Sequence, residues 1–191
     1  MSANLRTFTK AIYGLDHVVR LVPDDAWSNP SPCEEWTAHD ILGHVIGGLR
    51  MYVEPHVREI APPKLDVWQS PASIAGDDPV GAWSAARDDV LEAVDSRGVI
   101  NRVVETFRGH ETIDSLLGFA VVDILVHSWD LARAAGLDDQ LDPILVEHAS
   151  KEIEPMLPFA RERGFYAPPV ATADGSDRTE EFLAMLGRTV D

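Results

Sequence analysis

The chain has 191 residues, a formal charge of −16 at pH 7 and an apolar share of 45%, which suits one globular domain with a substantial core. The acid excess excludes a nucleic-acid phosphate backbone as partner, because such binding needs clustered Lys and Arg. A single cysteine, Cys33, excludes an intrachain disulfide framework and fits a reducing cytoplasm; no apolar run approaches the length of a bilayer span, and MSANLRTFTK lacks the apolar segment of a secretion signal.

In chain order, Leu5 to Val22 carries Leu5, Phe8, Ile12, Leu15, Val18, Val19 and Val22 at helical spacing, and Pro23 stops it. His17, between Asp16 and Arg20, falls on a polar flank. Trp27 to Trp36 is an ordered Pro-rich loop. Thr37 and Asp40 then form a capping-box pair for a helix from Ala38 to about Val53, with Pro55 ending or kinking it. His44 lies among its apolar residues. Gly43, Gly47 and Gly48 weaken this helix by roughly 1 kcal/mol each, which close approach of another backbone or a ligand beside His44 would offset. Ala61 to Pro79 reads as a long connection.

Asp78-Pro79 starts a third helix with Val80, Trp83, Val90, Leu91 and Val94 inward. Val99 to Phe107 alternates loosely, as a short extended piece would. From Thr112 to Gly136 runs the longest periodic stretch, with Ile113, Leu116, Leu117, Ala120, Val121, Ile124, Leu131 and Ala135 on its stripe, Thr112 as N-cap and Gly136 as the left-handed stop. Asp142-Pro143 starts a helix with Ile144, Leu145, His148, Ile153, Met156 and Leu157 inward, and Arg178 to Leu186 forms a last short one. The pattern predicts an all-α bundle of four principal helices, a single domain over 1–191 with its core at about 5–158 and a C-terminal appendage over 159–191.

Asp123 and His127, four residues apart, project from one face of the central helix into an apolar stripe. A buried carboxylate needs a partner or a metal. With His44 from a facing helix they make a three-ligand set for zinc or another divalent ion, leaving one position open. The same residues can also be a buried Asp–His pair with His44 merely packed, and spacing does not decide between these. The remaining histidines (His39, His56, His110, His148) read as solvated. Trp129 reads as packing and Asp130 as a helical ion pair with Arg133. Cys33, beside Glu34 and Glu35, lacks the positive setting of a nucleophilic thiol.

Three segments, P-S-P-C-E-E-W-T at 30–37, D-I-L-G-H at 40–44 and D-x-x-x-H-x-W-D-L-A at 123–132, resemble an actinobacterial family of metal-binding bundles. That family is related to the N-terminal domain of mycothiol-dependent maleylpyruvate isomerase, in the DinB/YfiT-like superfamily, and F-L-A-M-L-G-R at 182–188 is similar to its C-terminal signature. The resemblance implies a DinB-like four-helix bundle with a divalent metal, Zn2+ or Ni2+, held by His44, Asp123 and His127. Many relatives have Glu or His at the position of Asp123. The isomerase also has a further C-terminal domain that contributes to its active site and for which this chain leaves no room, so maleylpyruvate isomerisation itself is not expected.

Two functional classes follow. One is a metal-dependent enzyme, a thiol transferase or isomerase or else a hydrolase, in which the ion activates water or a thiolate and a low-molecular-weight thiol such as mycothiol can be co-substrate. The other is a non-catalytic metal- or small-molecule-binding bundle. Either way the partners expected are a small molecule or thiol and a second copy in a homodimer, with no nucleic acid and no membrane.

Overall fold

Local chemistry sets most element boundaries in the computed structural model, which describes residues 1–190. Helix α1 (Ala3–Leu21) starts on Ser2, whose hydroxyl accepts from the Leu5 amide. Helix α2 (Ala38–Gly48) starts on the Thr37/Asp40 capping box, and α5 (Pro79–Val94) on Asp78 with Pro79 in its first turn. Helix α6 (Ile113–Ala135) begins at Thr112 and ends at Gly136, whose φ of 66° suits a residue without a Cβ. Helix α7 (Pro143–Ile153) begins at Asp142. Short helices α3 (Glu54–Arg58), α4 (Ala72–Ala75), α8 (Leu157–Glu162) and α9 (Arg178–Met185) fill the connections and the C-terminal segment.

The bundle is built from α1, α2, α5 and α6, with α6 against both α1 and α2 and with α5 closing the other side of that pair. Phe8, Ile12 and Leu15 of α1, Ile41, Leu42 and Ile46 of α2, Trp83 and Val90 of α5, and Leu117, Val121 and Ile124 of α6 fill the centre, all essentially without exposure. Each such side chain contributes about 1.5–3 kcal/mol by leaving water. Helix α7 packs on α6, and α9 packs on α7. Asp16 is more than a polar flank: Trp83 donates its indole N–H to it at 3.1 Å, and the Arg87 guanidinium pairs with it.

Four readings are corrected here. The second helix does not stop at Pro55. It passes through a π-helical turn over Leu49–Val53 into α3, where Pro55 sits in the first turn and needs no amide donor. The loose alternation after Val99 is a 3-10 turn followed by a hairpin, with β1 (Val103–Thr106) antiparallel to β2 (Gly109–Thr112) and Val103 opposite Thr112. Ile144 is 67% exposed rather than inward. And α6 is, by length and composition, apolar enough to cross a bilayer, although 78% of that stretch is buried among the other helices.

The long connection folds back onto α2. A Cβ at Gly43 would lie 1.9 Å from the Pro71 carbonyl oxygen, and one at Gly47 would lie 2.5 Å from Val67 Cγ1. Glycine at these two positions is what lets residues 67–72 lie directly on the helix beside His44. Gly48 instead faces the Asp123 carboxylate, at 3.6 Å from a would-be Cβ.

Candidate metal centre

Helices α2 and α6 cross so that His44 and His127 meet, with ring centroids 4.9 Å apart and nearly perpendicular. Asp123 stands between them. Its Oδ1 is 3.5 Å from His44 Nε2 and 3.5 Å from His127 Nε2. Two donors each about 2.0–2.1 Å from one tetrahedral ion stand about 3.4 Å apart. Both Asp123–imidazole separations therefore match what a single first-row divalent ion imposes, the three donor atoms all lie within 4.8 Å of one another, and the donor set of two imidazoles and a carboxylate suits such an ion.

Each imidazole is also tied down from behind. His44 donates from Nδ1 to the Val67 carbonyl at 2.8 Å, and a carbonyl can only accept, so in the neutral ring Nε2 is the atom with the lone pair. His127 donates from Nδ1 to Asp130 Oδ2 at 2.9 Å. Both rings thus point Nε2 toward Asp123, and once neutral each would offer the Nε2 lone pair that a metal requires. The histidines are buried, whereas the Asp123 side chain is 40% exposed. The sequence reading placed a buried carboxylate at 123; the structure shows Asp123 as the open edge of the triad.

The buried carboxylate is Asp130, with no exposure at all. It does not pair with Arg133, which instead binds Asp139 at 3.0 Å and lies over the Trp129 ring. Arg188, from just beyond α9, grips Asp130 with two N–H groups, Nη2 to Oδ2 at 2.9 Å and Nε to Oδ1 at 3.3 Å. Cys33 donates its S–H to the same Oδ2 at 3.3 Å and accepts from Arg188 Nη2 at 3.1 Å. Cys33 therefore sits beside a guanidinium, contrary to its sequence reading. Cys33, His127 and Asp130 also lie close enough together to hold an ion. The Arg188 guanidinium already supplies the positive charge there, so this group acts as a brace for His127. One signal pointed to it: Asp130 lies three residues beyond His127 on the same helix face, where a carboxylate among apolar neighbours needs a cation.

Desolvation pushes the Asp123 carboxyl up, but the His127 and His44 imidazoles outweigh it and hold the group well below the usual carboxylate range. Desolvation pulls His127 down, and Asp123, Asp130 and Cys33 together raise it well above the ordinary imidazole value. For Asp130, desolvation is likewise overcome by His127 and Arg188, which keep it ionised. Burial pushes the Tyr166 phenol up, and the Asp123 charge adds to this.

The other histidines lie elsewhere. His39 is half-buried with its ring edge-on to Trp27, and its Nε2 is buried without a partner, so it is not simply solvated. His148 donates from Nε2 to the Gly118 carbonyl at 3.0 Å and does not join the triad. His56 lies within α3, half-buried, and His110 is exposed on β2.

The chain is thus a predominantly helical bundle with a two-histidine, one-carboxylate cluster between facing helices. Residues 8–132 match the family model described as the mycothiol maleylpyruvate isomerase N-terminal domain, and the chain belongs to that family. It is 30% identical over 171 residues to an uncharacterized protein of Mycobacterium tuberculosis strain CDC 1551 / Oshkosh, covering 87% of each chain. The same figures hold for an uncharacterized protein of strain ATCC 25618 / H37Rv. No solved structure matches.

Proposed function

We propose that this protein is a metal-dependent enzyme acting on a small molecule, with His44, Asp123 and His127 holding Zn2+ or Ni2+. The observation that carries the reading is the pair of 3.5 Å separations about Asp123 Oδ1, together with the Nδ1 tether behind each imidazole. A divalent ion there supplies Lewis acidity toward a water, thiol or carbonyl oxygen. The chain's own contribution is positional. Val67 and Asp130 fix the two rings, Asp123 leaves one side of the triad open to solvent, and the aromatic rings Trp36 and Trp68 cover His44 at 4.8 and 5.0 Å. The family description supports thiol transfer or isomerisation, with mycothiol as co-substrate, ahead of hydrolysis.

Elemental analysis of untagged wild type and Asp123→Ala tests this. The expected result is near-stoichiometric zinc or nickel in wild type and its loss in the variant, followed by turnover in a screen of thiol and ester substrates. Absence of metal even after reconstitution overturns the metal centre, and bound metal without turnover reduces the protein to a binding bundle.

A further inference from the structure

Aromatic rings from three separate segments gather beside the two imidazoles. Trp36, from the Pro-rich loop, lies 4.8 Å from His44 and 6.1 Å from His127 between ring centroids. Trp68, from the connection that lies on α2, is 5.0 Å from His44. Phe165, from the segment after α8, stacks on Trp68 at 5.5 Å with the planes only 4° apart.

Trp36 and Tyr166 are half-buried, but Trp68 is 43% exposed and Phe165 44% exposed although each already covers a face of the other. The stacked pair therefore leaves an aromatic face open to solvent beside His44. Arg188, whose guanidinium lies behind His127, is buried and engaged by Asp130, Cys33 and the Leu186 carbonyl. It is not free to receive a ligand's charge. The exposed carboxylate of Asp123 and the chain's net charge of −16 further disfavour a ligand carrying several negative groups.

We propose that Trp68 and Phe165 form the wall of a substrate subsite beside the metal centre, selecting a molecule with one metal-binding donor on a flat, aromatic or otherwise unsaturated body, and rejecting polyanions. The inference rests on the metal-centre reading and narrows it to a class of ligand. Rings from the connection and from the C-terminal segment meet at the opening, so the subsite exists only when both segments are in place.

The test uses the full chain loaded with Co2+ and follows its ligand-field absorption during titration with acetohydroxamate and with benzohydroxamate. The two probes share one chelating head and differ in the body. Benzohydroxamate is expected to bind about tenfold tighter to wild type, a factor within reach of one aromatic stack plus the apolar area it covers. In Trp68→Ala/Phe165→Ala the preference is expected to fall to about twofold. Phe165→Ala alone, whose stacking partner is Trp68, separates loss of the wall from any disturbance of His44, and it is expected to give an intermediate preference. Equal affinities in wild type, or a preference that survives the double substitution, overturns the subsite. Absence of Co2+ bands in wild type instead rejects the metal centre on which it rests.

Discussion

Removing one guanidinium at residue 188 is expected to weaken a metal site that it never touches. In Arg188→Ala the Asp130 carboxylate keeps His127 and Cys33 but loses both N–H groups that neutralise it, in a position with no solvent exposure. Leaving one member of a buried ion pair uncompensated costs about 3–5 kcal/mol, and loosening the carboxylate that orients a metal-binding imidazole costs about 10–100-fold in metal affinity. Two assays separate these effects: guanidinium chloride unfolding of the metal-free protein, and competition of a zinc chelator for the loaded one. The decisive variant is Asp130→Leu/Arg188→Met. An apolar pair of similar size recovers most of the lost stability, yet it leaves His127 Nδ1 without its acceptor, so zinc affinity stays low. Arg161→Ala is the control, because Arg161 donates to the Met185 carbonyl at 2.8 Å and anchors the same terminal segment without contacting Asp130. Zinc affinity in Arg188→Ala within twofold of wild type refutes the brace. So does an equal loss in Arg161→Ala, which would make the effect one of general packing.

Three other outcomes are expected. Gly43→Ala drives a Cβ against the Pro71 carbonyl, costs about 1–3 kcal/mol and lowers zinc affinity by shifting the Val67 acceptor of His44, whereas Gly14→Ala, with open space around it, stabilises α1 by about 0.5–1 kcal/mol; chemical denaturation of both variants checks the contrast. Desolvation raises the Glu111 carboxyl, but hydrogen bonds from Thr106, Arg108 and Ser115 outweigh it and hold the group below its ordinary value. Its folded pKa being depressed, its stabilisation is complete above the unfolded value of about 4.3 and is lost as pH falls through the folded one. Denaturation midpoints from pH 7 to pH 3 should therefore drop less steeply in Glu111→Gln than in wild type, and parallel curves would contradict this. Zinc at 100 times its dissociation constant should raise stability by about 2.7 kcal/mol in wild type and leave Asp123→Ala unchanged, and identical melting of wild type with zinc and with chelator would argue that no ion binds.

What the sequence made legible was chemistry that acts over a few residues. Thr37 with Asp40, Asp78 with Pro79, and Thr112 with Gly136 each mark a helix end through neighbours in the chain, and all three stand where the pattern puts them. His44, Asp123 and His127 were found because apolar periodicity exposes polar intruders. The parts of the site that were missed depend on long-range pairing or on groups without a side-chain identity. Arg188 reaches Asp130 across 58 positions, and nothing in either local sequence specifies that partner. The acceptor for His44 is the backbone of Val67, which any residue could provide. Asp130 was assigned to Arg133 because i,i+3 spacing favours that pair, but burial of Asp130 and the nearness of Asp139 to Arg133 decided otherwise. The π-helical turn at Leu49–Val53 likewise depends on packing against α5 and α6 rather than on any residue signal within it.

The brace on His127 also sets an order of events during synthesis. The ribosome delivers Cys33, His44, Asp123, His127 and Asp130 before Arg188, so a nascent chain can assemble the helical bundle while its most buried carboxylate still lacks a counter-ion. Without residue 188 a carboxylate that has no solvent exposure would lack the guanidinium that neutralises it. Docking of the segment that carries Arg188 is therefore the step that completes the pairing of Asp130 and holds the His127 ring in place.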